Sequence, residues 1–206
     1  FVIYNFDLPN NFKLKKTNMK LFFGSRKTKN KLNEILIFVI IFLLLIGLEA
    51  TAQKTTVWIV RHAEKDTSFA NRLNPDLTVV GMQRAKDLAA YLQKENIVKI
   101  FSTDTKRTKQ TATYFNVPIE IYNPKSLNSV LDFINLDKQD KSVLIVGHSN
   151  TVLETIEALG GTRPVAQLSD DDYDYLFKVV LADGKPTQVN IFHFGQLHRG
   201  GNATMK

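Results

Sequence analysis

The stretch Thr55–Lys65, TTVWIVRHAEK, decides the fold. Its centre, Val57–Val60, is an uninterrupted run of β-branched, aliphatic and aromatic residues, which is typical of a strand buried on both faces of a sheet. A similar run, VLIV at 143–146, ends just before His148, which lies 86 positions after His62 (148 − 62). In sheets of parallel strands, ligands bind at the carboxyl ends of the strands. The sequence therefore predicts that both imidazoles lie at one crevice.

Helices and strands alternate along the rest of the chain. The recurrence of Met82, Ala85 and Leu88 at helical spacing predicts a helix, with Thr78 as its N-cap. Further helices are predicted over 105–115, 127–136 and 149–159, and further strands over 99–101, 118–122, 173–181 and 187–194. Asp183-Gly184, between the last two strands, is a hairpin signal. This order predicts the α/β class, with a mainly parallel sheet flanked by helices and antiparallel strands added late.

The first 52 residues form a leader that differs from the rest. A lysine-rich stretch precedes the apolar run Ile35–Leu48, which has 14 residues, and Ala50-Thr51-Ala52 follows it. This arrangement predicts a signal peptide cleaved after Ala52, because a membrane span needs roughly 20 apolar residues. An uncleaved membrane anchor and a buried core helix are the alternatives. Whether the segment is a cleaved signal peptide or an uncleaved anchor, its basic flank places the domain at 53–206 outside the cytoplasm, periplasmic or extracellular. Met19 is a more natural start of translation than Phe1.

Composition narrows the classes of partner. The chain has no cysteine, so disulfides and cysteine-ligated zinc are excluded. The net charge of +7 divides into 8 − 3 = +5 for residues 1–52 and 19 − 17 = +2 for residues 53–206. Because the domain itself is nearly balanced, we expect no nucleic-acid partner. Membrane contact is expected only through the N-terminal segment, if that segment stays uncleaved.

Four side chains at the predicted strand ends suit a phosphoryl group. His62 is the candidate nucleophile, since a neutral imidazole can attack phosphorus and form a covalent intermediate. Arg61 and Arg107 carry planar donor forks that match phosphate geometry. His148 can donate a hydrogen bond or supply a positive charge to the same oxygens. The surrounding cations are expected to lower the pKa of His62 and keep its ring neutral.

Two helix starts are predicted beside these residues. Asp104 is the expected cap of the helix that carries Arg107, and Ser149 the expected cap of the helix after His148. Both starts are expected to aim free N–H groups at the crevice, so that Ser149 also becomes a candidate substrate-binding residue. A metal site on the two histidines is not expected, because no carboxylate or cysteine ligand spacing accompanies them. No cofactor is predicted.

At these residues the chain resembles the histidine phosphatase (phosphoglycerate mutase-like) superfamily. Its Arg-His-Gly signature corresponds to Arg61-His62-Ala63, with alanine for glycine, and its Leu-Thr-x-x-Gly-x-x-x-Ala stretch corresponds to Leu77–Ala85. Ser102–Ala112 and Val146–His148 match two further segments in the family's order. The resemblance implies a three-layer fold, phosphorylation of His62 and phosphate binding by Arg61, Arg107 and His148. The small, compact bacterial phosphatases of the family are the most similar in size.

The chain departs from the family in the acid that protonates the leaving group. No motif supplies it; Glu64, Asp66 and Asp104 lie near the expected pocket, and of these Glu64 and Asp104 are the candidate acids. Without a strong acid, substrates with good leaving groups are favoured. The connections are short, so that only residues 63–75 and 160–174 are long enough to form a lid. The acidic run Asp170–Asp172 is expected to be a solvated loop.

The leading functional hypothesis is an exported phosphatase that hydrolyses phosphate monoesters or related small phosphorylated substrates through a phosphohistidine on His62. A degenerate domain of the cell envelope that binds phosphorylated ligands without turnover is the main alternative. A phosphomutase is less favoured, because it needs a retained phosphorylated cofactor. The physiological substrate, the oligomeric state and the identity of the acid stay open.

Overall fold

The computed structural model describes residues 26–46, 54–68, 72–136 and 140–197, and it divides the chain into two compact units, Phe1–Ala50 and Thr51–Lys206. In the first unit, α1 (Arg26–Ile46) contains most of the predicted apolar run. Large apolar side chains along it, from Leu32 to Phe42, are exposed. Among the described helices, none combines the length and apolarity that crossing a bilayer requires. The predicted cleavage site at Ala52 lies outside the described residues.

One six-stranded sheet organises the second unit, in the order β3-β2-β4-β1-β5-β6. Its strands are β1 (Lys54–Arg61), β2 (Ile97–Ser102), β3 (Ile119–Ile121), β4 (Lys141–Gly147), β5 (Tyr175–Ala182) and β6 (Gln188–His193). The first four pair in parallel, whereas β5 and β6 are antiparallel additions beside β1. The turn between β5 and β6 contains Gly184 at φ 68°, as its hairpin signal predicts. The predicted mixed sheet is therefore confirmed.

The connecting helices are α2 (Val79–Tyr91), α3 (Lys106–Thr111), α4 (Asn128–Leu136) and α5 (Val152–Ala158). Thr78 caps α2 as predicted, accepting a hydrogen bond from Gly81 N at 3.0 Å. The other two predicted caps are wrong by one and two residues. Thr105, not Asp104, caps α3, because its hydroxyl accepts the Thr108 N–H. α3 also ends at Thr111, well short of the predicted residue 115.

The sheet separates two layers of helix. Alternate residues of β1 point to opposite faces, so that Val57 and Ile59 pack with α4 and α5, whereas Trp58 and Val60 pack with α2. These side chains are all 3% exposed or less. Burial of each contributes about 1.5–3 kcal/mol, which fixes β1 as the centre of the domain.

The register of β1 against β4 determines where the site forms. Arg61 pairs with Gly147 at the carboxyl ends of both strands, and His62 N donates to Gly147 O at 2.9 Å. The chain leaves β1 for β2, which lies on the far side of β4, so that β4 is inserted later between them. Such a reversal of strand order opens a crevice at the strand ends. The residues that follow β1, β2 and β4 therefore meet there.

Candidate active site

His62 lies at the bottom of the crevice, with 3% of its surface exposed. Its Nδ1 is 2.8 Å from the carbonyl oxygen of Ala63. Because a carbonyl oxygen only accepts, Nδ1 carries the proton and the lone pair of the neutral ring is on Nε2. The pKa of His62 is lowered to about 3: burial is the largest cause, the Ala63 bond opposes the decrease, and Arg61, His148 and Arg107 add to it. The predicted decrease has burial, rather than nearby cations, as its largest cause.

His148 stands edge-on to His62, with the ring centroids 5.3 Å apart. Its Nδ1 is 3.4 Å from Nη2 of Arg107 and its Nε2 is 2.8 Å from the Thr103 hydroxyl. A guanidinium only donates, so Nδ1 accepts and Nε2–H donates to Thr103. Burial, Arg107 and Arg61 lower the pKa of His148 to about 4. Both imidazoles are therefore neutral at pH 7.

The two arginines complete a cationic cluster around the histidines. Arg61 is 3% exposed, and its Nη1 donates to Ser169 O at 2.6 Å. Arg107 is the second residue of α3, in the first turn as predicted, and burial lowers its pKa, with a smaller contribution from Arg61. The structure thus brings together Arg61, His62, Arg107 and His148. Planar donor forks beside two neutral rings match the charge and geometry of a phosphoryl group.

Hydroxyl groups that sequence patterns did not single out hold these four residues in place. Thr111 is 1% exposed, accepts the Ala63 N–H at 3.0 Å and donates to the Arg107 carbonyl at 2.7 Å. It therefore ties the loop after β1 to the helix that carries Arg107. Thr103 receives the His148 bond and donates in turn to Thr108. In the sequence, the one indication that Thr103, Thr108 and Thr111 matter for the site was that they lie in the same segment as Arg107.

Ser149 does not take the predicted position. It lies in the turn between β4 and α5, and α5 begins at Val152 with Thr151 as its N-cap. The Thr151 and Val152 N–H groups donate to the His148 carbonyl, and Lys106 N donates to Asn74. The N–H groups of Thr151, Val152 and Lys106 are therefore satisfied by the chain itself and, contrary to the prediction, are not free for a ligand.

Glu64 and Asp104 each pair with a cation. Glu64 Oε1 accepts from Arg84 Nε at 2.8 Å and lies 2.7 Å from Arg84 Nη2. Asp104 is bonded to Lys109 Nζ at 2.9 Å, and its side chain is 74% exposed. Within the described part of the chain, no group of three or more acidic, histidine or cysteine side chains is suited to hold a metal ion.

Residues 169–173 close one side of the crevice. Asp170 Oδ1 is 3.7 Å from Arg61 Nη2, and the Arg61 guanidinium carbon lies 4.3 Å from the centroid of the Tyr173 ring. Asp172 is buried and accepts the Ser169 N–H at 2.7 Å, so the prediction of a solvated acidic loop is wrong at this residue. The hydrogen bond from Ser169 N to the buried Asp172 side chain stabilises a turn that presents Ser169 and Tyr173 to Arg61.

A cavity of about 450 Å³ opens beside this wall. It is lined by Glu64, Val80, Arg84, Asp171, Tyr173, Gln196 and Leu197. Tyr173 also lies next to the nucleophile, with ring centroids 6.1 Å apart. The cavity therefore adjoins the cationic cluster through Tyr173 and Glu64, and its size suits the organic part of a small substrate.

A family model matches part of the chain. The model of the histidine phosphatase superfamily (branch 1) matches residues 57–130, which include Arg61, His62 and Arg107. The match spans 74 of the 206 residues and agrees with the predicted resemblance to this superfamily. It also supports the predicted assignment to the hydrolases of phosphate esters. No curated protein sequence matches the chain.

Solved structures share the histidine phosphatase fold. A mycobacterial glucosyl-3-phosphoglycerate phosphatase is 13% identical with a TM-score of 0.56, the match covering 68% of this chain and 99% of that one. The protein histidine phosphatase SixA, complexed with tungstate, is 20% identical with a TM-score of 0.53, covering 67% and 96%. An Entamoeba histolytica phosphoserine phosphatase mutant, complexed with phosphoserine, is 14% identical with a TM-score of 0.51, covering 68% and 96%. These similarities concern the fold alone, and they confirm the predicted fold class.

Proposed function

We propose that this chain hydrolyses small phosphate monoesters through a phosphohistidine on Nε2 of His62. The observation that carries the proposal is the tautomer of His62. Its Nδ1–H is bonded to Ala63 O at 2.8 Å, so the lone pair of a neutral ring is left on Nε2 beside two guanidinium groups. A neutral, oriented imidazole next to fixed cations is what covalent transfer of a phosphoryl group requires.

Each member of the cluster has a distinct role in this proposal. Arg61 and Arg107 bind the equatorial oxygens of the phosphoryl group, where negative charge is concentrated. His148 accepts a hydrogen bond from Arg107 at Nδ1 and so holds that guanidinium in place for the same oxygens. In the first half of the reaction Nε2 of His62 attacks phosphorus and the ester oxygen departs. In the second half water attacks the phosphorus, and the phosphoryl group leaves His62 as inorganic phosphate.

The substitution of alanine for glycine after His62 does not disturb this arrangement. Ala63 is fully buried, and its backbone N–H and carbonyl are both hydrogen-bonded, to Thr111 and His62. This reduces the case for a degenerate domain that only binds phosphorylated ligands. That alternative and the phosphomutase alternative remain predictions, which one assay separates from hydrolysis.

Phosphate release from p-nitrophenyl phosphate and phosphoserine should be measured with the full chain. His62→Ala should lower kcat/KM by more than about a thousandfold, because the nucleophile is lost. His193→Ala is the matched control, since His193 pairs with Asp174 at the end of β6 instead. Activity that survives His62→Ala would contradict the mechanism. Binding of phosphate without turnover would favour the degenerate domain, and transfer to a second organic hydroxyl would favour a mutase.

We also propose that the domain is exported. The basic stretch, the apolar run Ile35–Leu48 and Ala50-Thr51-Ala52 support a signal peptide, and the exposed apolar side chains of α1 agree with it. In a bacterial expression host, the intact mass and N-terminal sequence of the exported protein should begin at Gln53. Retention of the leader together with extraction only by detergent would favour the anchored alternative. Recovery of the uncleaved chain in the cytoplasm would contradict export.

A further inference from the structure

A phosphatase that acts on alkyl esters must supply a proton to the departing oxygen. An alkoxide is a strong base, so its departure without protonation is slow. Glu64 is paired with Arg84, and Asp104 is exposed and bonded to Lys109. Both of these carboxyl groups are therefore already engaged by a cation. A donor free of such an ion pair would have to lie on another wall of the cavity.

Tyr173 lies on that wall in a fixed position. Its ring centroid is 6.1 Å from that of His62, and it lines the cavity of about 450 Å³ that adjoins the nucleophile. The turn that presents it is held by the bond from Ser169 N to the buried Asp172 carboxylate, at 2.7 Å. Tyr173 therefore lies beside both the nucleophile and the cavity that suits the organic group.

We propose that Tyr173 is the general acid of this phosphatase, protonating the leaving oxygen. The inference rests on the proposed function, because it concerns the same reaction at His62. In this proposal the Tyr173 hydroxyl contacts the reacting ester oxygen, which makes Tyr173 a catalytic residue.

In the first half of the reaction, an N–P bond replaces a P–O bond and one proton moves. The lone pair of His62 Nε2 forms the N–P bond, the bond between phosphorus and the ester oxygen breaks, and that oxygen takes the phenolic proton of Tyr173. In the second half, the tyrosinate takes a proton from the attacking water. The N–P bond then breaks, its electron pair returns to Nε2, and both side chains are restored.

The surroundings of Tyr173 support both of its protonation states. Burial raises the pKa of the phenol above its ordinary value, and Glu64, Asp170 and Asp171 raise it further, so the proton is present at neutral pH. The tyrosinate formed during transfer is stabilised by Arg61, whose guanidinium lies 4.3 Å from the ring centroid and opposes this rise. An alkoxide is more basic than tyrosinate, so the transfer runs in the required direction.

Asp171 is the rival donor, because its exposed side chain also lines the cavity. A carboxyl group open to solvent is ionised at neutral pH, whereas the phenol is not. Asp171→Asn therefore serves as the comparison for Tyr173→Phe. Each substitution removes one ionisable group with little change in volume.

The test compares two leaving groups in the full chain. Tyr173→Phe should lower kcat for phosphoserine by about 100-fold or more and leave kcat for 2,4-dinitrophenyl phosphate within about threefold, because the nitrophenolate needs no proton. The decrease of phosphoserine turnover at alkaline pH in the wild type should be absent from Tyr173→Phe. The affinity for inorganic phosphate, measured by calorimetry, should be unchanged and so report an intact fold and intact Arg61.

Several outcomes would overturn the assignment. Equal loss on both esters, or weaker phosphate binding by Tyr173→Phe, would mean that Tyr173 only supports Arg61. Selective loss in Asp171→Asn instead would transfer the role to that carboxylate, and wild-type rates in both variants would exclude both. Failure of the proposed function gives a different pattern, in which His62→Ala retains activity on both esters.

Discussion

The approach of α2 to the loop after β1 leaves no room for a side chain at Gly81. A Cβ there would lie 2.2 Å from the carbonyl oxygen of Glu64, whereas real Cβ contacts essentially never fall under 3.0 Å. In Gly81→Ala the two groups must therefore separate by at least 3.0 − 2.2 = 0.8 Å. The same oxygen accepts the Thr78 N–H at 2.9 Å, a bond that such a shift disrupts.

The free energy of unfolding follows from three contributions. Overpacking costs about 1–3 kcal/mol and the lost backbone hydrogen bond about 0.5–1.5 kcal/mol. Alanine in place of glycine in a helix returns up to about 1 kcal/mol. The net destabilisation is therefore about 0.5–4.5 kcal/mol. Because Glu64 follows the residue whose carbonyl orients His62, a displacement approaching 1 Å should also lower kcat/KM by up to about 100-fold.

Urea denaturation and initial rates with p-nitrophenyl phosphate measure the two effects. Gly184→Ala is the matched control, since its Cβ meets nothing within 4 Å but its φ of +68° is unfavourable for alanine. This control should lose about 1 kcal/mol of stability and no activity. The reasoning is refuted if Gly81→Ala unfolds at the wild-type urea concentration with unchanged kcat/KM, or if Gly184→Ala loses as much activity.

Three further predictions concern the cluster itself. Thr111→Val should cost about 1–3 kcal/mol in urea denaturation, because the buried Ala63 N–H loses its acceptor; a change under about 0.5 kcal/mol would contradict this. The folded chain keeps His62 and His148 neutral, with pKa values of about 3 and 4, while the unfolded chain binds protons below its ordinary pKa of 6.5. The free energy of unfolding should therefore be greatest above pH 6.5 and decrease between about pH 6.5 and 4, by at most about 2.7 kcal/mol per pH unit. His62→Asn should reduce this slope. A free energy of unfolding that does not change with pH would argue against neutral rings. Inorganic phosphate at 100 times its Kd should stabilise the chain by about 2.7 kcal/mol in thermal unfolding, and an undiminished shift in Arg107→Met would exclude that side chain from phosphate binding.

The convergence of His62 and His148 was predictable from the sequence. Two apolar runs of strand length, each followed at once by polar groups, place those groups at the same edge wherever the strands are parallel. Val57–Val60 and Val143–Val146 lie in β1 and β4, which are direct neighbours. The prediction succeeded because it depended on strand periodicity and direction, which local sequence determines well.

The helix caps were not predictable to the residue. Asp104-Thr105 and Ser149-Asn150-Thr151 each place several cap-forming side chains in succession, and intrinsic preference does not separate them. Local hydrogen bonds distinguish them in the structure: Thr105 accepts from Thr108 N, and Thr151 accepts from His148 N. A shift of one or two residues then changes which side chains and N–H groups face the crevice.

Tyr173 was not predicted as a site residue. The sequence placed it only at the start of a predicted strand, 173–181, and in a possible lid segment, 160–174. It lies 111 positions after His62 (173 − 62), and no spacing rule relates the two. Its place depends on the buried Asp172 carboxylate, which composition alone presented as part of a solvated acidic run. Contacts made by loops across the domain are the part of a site that pattern analysis misses.

The pairing of Arg61 with Gly147 has a consequence for biosynthesis. His62 follows β1 and His148 follows β4, so the two histidines come together only when β4 has paired with β1. A nascent chain arrested before residue 147 has emerged from the ribosome contains His62 but no phosphate pocket. The complete cluster thus forms abruptly, late in synthesis.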